Sequence, residues 1–176
     1  AGTPITGAVA MPFDIKSFTA FRIHRQGSQV SARFDDVGLS DLTAGDVVVR
    51  VTYSGINYKD ALAATGTAPI LRKYPLAGGI DLAGEVVESS DPRFTSGQRV
   101  LVTGCGLSET QDGGYAEYAR VQGDWAIPIP PGMTDADTMK LGTAEAGDII
   151  LERAGVRVFL APDCLPLVRG SRLDYH

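Results

Sequence analysis

Between Phe18 and Pro130 no apolar period of the helical kind runs for more than about three turns before a glycine, a proline or a Ser/Asp corner breaks it. A chain interrupted this often cannot build a helical bundle and must double back on itself in short strands. The 21 glycines and 10 prolines supply the corners for that route, so a mainly β fold is predicted. "FTAFRIHRQG" and "QVSARFDDVG" read as two arms of a hairpin turned at Gln26-Gly27-Ser28. "LTAGDVVVRVTYSG" offers a turn and then a strand, with Val47, Val49, Val51 and Tyr53 on one face and Val48, Arg50, Thr52 and Ser54 on the other. "DLAGEVVESSDPRFTSGQRVLVTG" holds two more strands joined through Asp-Pro and Ser-Gly turns, and "GGYAEYARV" with "WAIPIP" supplies a further pair. Sequential antiparallel strands with glycine at the corners predict a partly open barrel. Two short helices, over 58–65 and 135–141, sit among them.

Charge and cysteine usage narrow the function classes. A net charge of −5 with scattered basic residues gives no footprint for nucleic acid. No apolar run approaches the roughly 20 residues of a membrane span. Cys105 and Cys164 fit neither a disulfide framework nor a metal ribbon, and Cys164 reads as packing or a loose thiol. Residues 1–10, AGTPITGAVA, lack the basic start and long apolar core of a secretory signal, so a cytoplasmic protein is expected. Met11 would serve as a natural start, which would make those ten residues a cloning remnant.

The chemically specific stretch is "SGINYKDALAATG", where the valine-rich strand ends and Asn57, Tyr58, Lys59 and Asp60 follow without a break. Asn57 is a good N-cap, Asp60 three residues on can answer it as in a capping box, and Gly66 ends the helix. Capping accounts for two of the four polar residues. Lys59 in the first helical turn opposes the macrodipole by a few tenths of a kcal/mol, roughly, unless it is paired or used. Tyr58 is large for a purely solvated position. A helix start and the floor of an active site are both open readings here.

The order of "VRVTYSGINYKDALAATG", "YPLAGGIDLAGEVVESSDPRFTSGQRVLVTG", "GGYAEYARVQGDWAIPIPPGM" and "MKLGTA" resembles the catalytic domain of zinc-free medium-chain dehydrogenase/reductases, in particular the NADPH-dependent acrylyl-CoA reductase or quinone oxidoreductase group. The resemblance runs from Phe18 to Ala144. It implies a GroES-like barrel at 18–144, preceded by an extension at 1–17 and followed by a tail at 145–176 that does not match the family. It also implies reduction of the C=C bond of an α,β-unsaturated thioester, quinone or enone by NADPH. Asn57 would then hold the nicotinamide carboxamide or the substrate carbonyl, and Tyr58 and Lys59 would be the candidate donors. Asp60 would orient Lys59 or cap the helix, and Thr143 in "LGTA" would approach the nicotinamide.

Zinc-dependent members of that superfamily place a cysteine near the position of Asn57 and a Gly-His-Glu where this chain has Gly79-Ile80-Asp81. His24 and His176 lie elsewhere, so a thiolate and imidazole site is not assembled and no metal is expected. No G-x-G-x-x-G follows a strand, so NADPH, the cofactor of the intact enzyme, is not expected to bind this chain. "DIILERAGVRVFLAP" would form a hairpin around Glu152–Gly155 or fill a barrel edge. The main reading is a catalytic domain, inactive in this form, acting on a small-molecule substrate; the other is a non-catalytic or self-associating barrel, a homo-oligomer through its exposed domain face.

Overall fold

The computed structural model describes residues 15–135, Thr138, and the backbone of 149–153 and 156–160. The mainly β reading holds. Strands β1 (Phe18–Gln26) and β2 (Gln29–Val37) form an antiparallel hairpin in continuous register from Phe18↔Val37 to Gln26↔Gln29. Gly27, at φ 61°, takes the left-handed position of the tight turn between them. Strand β3 (Val47–Tyr53) leads into helix α1 (Tyr58–Thr65), and β4 (Leu76–Ala77) adds antiparallel to β1 to complete a 3-stranded sheet. Strands β5 (Asp81–Ser89), β6 (Arg99–Thr103), β7 (Tyr118–Val121) and β8 (Ile127–Pro128) join β3 in a second sheet.

Two details of the second sheet differ from the sequence pattern. Val48 is buried with Val47 and Val49, because β3 is an interior strand paired to both β5 and β7 and its register against β5 shifts between Val48 and Val49. Strands β7 and β8 do not pair with each other. The short 3-10 turn Gly123–Trp125 separates them, so β7 lies on β3 while β8 lies on β6. In the tail, β9 (Ile149–Arg153) and β10 (Val156–Leu160) form an antiparallel hairpin whose second strand meets β3 in parallel at Arg157↔Tyr53. Asp135 and Thr138 are helical, and the rest of the helix expected over 135–141 lies outside the described residues.

The sheets are bridged rather than closed. The segment entering β7 bonds to β1 through Phe21 N–H to the Tyr115 carbonyl (2.7 Å) and Glu117 N–H to the Thr19 carbonyl (3.1 Å). It bonds to β3 through Val51 N–H to the Glu117 carbonyl (2.9 Å). The result is a partly open barrel. Its main core gathers Val47, Val49, Leu82, Val86 and Val100 between the faces of the larger sheet. A separate cluster of Ile23, Ala63, Leu71 and Leu76 seats α1 against the smaller one. Burial of a side chain such as Ile23 or Leu76 contributes about 1.5–3 kcal/mol.

One backbone contact aligns the site. Gly113-Gly114-Tyr115 runs along Ala77-Gly78-Gly79, with N–H to carbonyl distances of 3.0, 3.0 and 2.9 Å. A Cβ on Gly113 would lie 2.0 Å from the Gly79 carbonyl oxygen, which is backbone and cannot swing aside. Gly113→Ala is therefore expected to destabilise the protein by ~2–3 kcal/mol, read as a lower urea midpoint at unchanged slope. A midpoint equal to that of the parent protein would show that the two segments separate without cost.

Candidate active site

The strand-to-helix connection 54–57 is irregular backbone, and its polar groups are met by side chains from other elements. Asn57 has the extended N-cap backbone (φ −105°, ψ 158°) and α1 ends at Gly66 in the left-handed region (φ 69°). The firm hydrogen bond of the capping box runs from Asn57 N–H to Asp60 Oδ2, 2.9 Å. Asp60 Oδ1 accepts a second bond from Ile80 N–H at 3.0 Å. Asp60 thus caps the helix and ties it to the residue before β5. It is buried, at 3% exposure.

The Asn57 side chain also reaches beyond the cap read in the sequence. Its Nδ2 donates to Asp81 Oδ2 at 2.9 Å. Asp81 Oδ1 accepts from Gly55 N–H at 2.6 Å, while the Ser54 hydroxyl donates to the Asp81 main-chain carbonyl at 2.7 Å. Tyr115 closes the ring by donating its hydroxyl to the Gly55 carbonyl, 2.9 Å. Asn57 and Asp81, which stand where zinc-dependent relatives are read to place ligands, are bonded to one another as amide and carboxylate. Among the described residues no group of three His, Cys, Asp or Glu side chains is arranged to hold a metal ion.

The two carboxylates are shifted in the same direction. Burial pushes the Asp60 carboxyl up to about 6, the nearby Asp81 adds to the rise, and the bond from Asn57 N–H works against it. Burial also raises Asp81, opposed by the bonds from Asn57, Gly55 and Ser54.

Of the four residues singled out in the sequence, Asn57 and Asp60 meet in this network. Tyr58 and Lys59 project from it. Tyr58 is 60% exposed, one of two large apolar side chains so exposed among the described residues. Lys59 Nζ is paired with Glu109 Oε1 from the loop after β6. Thr143 and Cys164 lie outside the described residues. Sequence reasoning missed Glu109, Tyr115 and the bonding role of Asp81. Asp81 was visible only as a missing ligand, and Tyr115 only as part of the "GGYAEY" motif. Glu109 carries no local signal, since its partner is 50 residues away.

The N-terminus of α1 offers no anion cradle, because Asp60 already occupies it. No helix among the described residues is long and apolar enough to cross a membrane.

A bridged two-sheet β unit carries a polar network at its strand-to-helix turn, the architecture of a partly open GroES-like barrel. Residues 43–131 match the family model of the alcohol dehydrogenase GroES-like domain, and the chain belongs to that family. It is similar to the probable acrylyl-CoA reductase AcuI of Escherichia coli, 45% identical over 142 residues that make up 78% of this chain and 44% of the relative. The putative quinone oxidoreductase YhfP of Bacillus subtilis is 43% identical over 127 residues, 72% of this chain and 38% of the relative. Among solved structures, the yhdH oxidoreductase from Salmonella enterica, in complex with NADP, superposes with a TM-score of 0.67 at 46% identity, covering 70% of this chain and 38% of that one. The chain spans less than half the length of the curated relatives it matches.

The Asp60 shift gives a pH test. In the unfolded chain this carboxyl ionises near its ordinary value of 3.8, whereas in the fold it keeps its proton to about 6. Folding therefore binds a proton inside that window, and the stability this contributes is full below it and lost as pH rises through it, by about 3 kcal/mol. Asp60→Asn cannot ionise. The parent's stability advantage over the variant is expected to shrink between about pH 4 and pH 7 in urea titrations. A difference that does not change with pH would show that Asp60 ionises normally in the fold.

Proposed function

We propose that this chain supplies the substrate-facing part of an NADPH-dependent oxidoreductase that reduces the C=C bond of an α,β-unsaturated acyl thioester of the acrylyl-CoA kind, or of a quinone or enone. The observation that carries the reading is the division of labour within 57–60. Asn57 and Asp60 are tied down by backbone and carboxylate bonds, while Tyr58 stands exposed and Lys59 reaches outward from the same helical turn. The named relatives point to the same reaction class.

NADPH, when bound, supplies the hydride for the β-carbon. In this reading the described residues face the reacting end of such a complex; Asp60 fills the N-terminus of α1, so the cofactor's phosphates would not be bound at that helix. Tyr58 carries a phenolic O–H that can protonate the α-carbon or hydrogen-bond the substrate oxygen. The Lys59 ammonium stabilises the negative charge that develops on that oxygen. Asn57 is a fixed amide beside them, with Asp81 setting its orientation. Asp60 does not reach the substrate in this scheme; it holds the first turn of α1 and so the direction in which Tyr58 and Lys59 leave it.

The test is a chimera carrying residues 15–135 of this chain in place of the matching segment of the E. coli relative. It is expected to oxidise NADPH with acrylyl-CoA or a quinone. Tyr58→Phe and Lys59→Ala are each expected to lower kcat by ~100-fold with little change in melting temperature. Asn57→Ala is expected to lower both. A chimera that folds but is inactive with both substrates overturns the reading, and undiminished turnover in Lys59→Ala removes that residue from the chemistry.

A further inference from the structure

The loop that meets Lys59 is built at a cost. After β6 the chain runs Gly104-Cys105-Gly106-Leu107-Ser108-Glu109, and four of these six residues have positive φ. Two of the four are not glycine: Cys105 at 51° and Ser108 at 57°. L side chains adopt that region only with strain. Ser108 is also fully buried, and its hydroxyl has no hydrogen-bond partner. A strained backbone with an unsatisfied buried hydroxyl persists where the surrounding bonds over-determine it.

Those bonds converge on Glu109. Its N–H donates to the Gly106 carbonyl at 3.1 Å, its carbonyl accepts from Arg72 N–H at 2.8 Å, and Ser108 N–H donates to the Gln111 carbonyl at 2.8 Å. The Glu109 main chain is therefore pinned, and its carboxylate pairs with Lys59. Stability does not explain the pair. The two side chains are 41% and 29% exposed, a setting in which an ion pair contributes little, and Lys59 stands in the first turn of a helix where a cation is disfavoured.

We infer that Glu109 is a positioning residue that fixes the direction of the Lys59 ammonium at the first turn of α1. The inference rests on the proposed role of Lys59 at that site. An ammonium has three N–H donors. One bond to Glu109 fixes its direction and leaves two for a substrate oxygen. Without Glu109 the four-carbon stem of Lys59 samples other rotamers and the donors are no longer preset.

Two arms test this. In the chain itself, acylation of Lys59 by acetic anhydride is followed by mass spectrometry, with exposed Lys73 as internal reference. Glu109→Gln is expected to raise the Lys59 rate relative to Lys73 roughly threefold; an unchanged ratio overturns the inference. In the chimera, Glu109→Gln is expected to lower kcat with KM nearly constant, and to have no further effect in a Lys59→Ala background. An equal loss in both backgrounds would make Glu109 merely structural and overturn the inference while leaving the proposed function intact. A Lys59→Ala chimera with full turnover would instead overturn the reading beneath it.

Discussion

A segment that leaves a sheet and crosses the interior strands its backbone N–H groups, and each one left unmet costs about as much as a lost hydrogen bond. In this protein aspartates take those groups. Asp60 accepts from Asn57 and Ile80, Asp81 from Gly55 and the Asn57 amide, and Asp112 from Ala77 and Thr43 at 2.8 Å each. Every one of these carboxylates joins segments that are far apart in the chain. Asparagine could not replace any of them without turning one acceptor into a donor that faces another donor. The desolvation this entails is visible in the raised Asp60 carboxyl, and the backbone bonds offset part of it.

These anchors decide what the site can be. With Asp60 and Asp81 fixing the walls, and Tyr115 held by the glycine contact that lays 113–115 along 77–79, the turn from β3 into α1 has little freedom. Tyr58 stands exposed, and Lys59 pairs with Glu109 outside this network. In the proposed reduction, donors preset on a rigid floor need no reorganisation as charge develops.

How much of this is legible in the sequence follows from the range of each interaction. Strands, corners and the α1 caps are local: alternation over 47–53, Gly27 in the hairpin, the Asn57 to Asp60 spacing and Gly66 can all be read within a few residues. The Asn57 to Asp81 bond spans 24 residues and the Lys59 to Glu109 pair spans 50, so neither has a periodic signature. Val48 shows the same limit. Alternation places it on the face opposite Val47 and Val49, and only the fold shows that it is buried there too, next to a register shift against β5. The exchange of partners by β7 and β8 was illegible because the order of strands in a sheet is a tertiary property. The family resemblance supplied the architecture that the pattern left open.

The electrostatics of the site bear on which reaction suits it. In the proposed reduction negative charge builds on the substrate oxygen, and a floor carrying two ionised carboxylates would oppose it. The structure lessens that opposition in two ways. The Asp81 charge is directed into Gly55 N–H and the Asn57 amide, and the Asp60 charge into Asn57 N–H and Ile80 N–H. Because the Asp60 carboxylate also fills the N-terminus of α1, that helix end is not an anion site. The same residue thus caps α1 and ties it to the residue before β5, which fixes the turn from which Tyr58 and Lys59 leave.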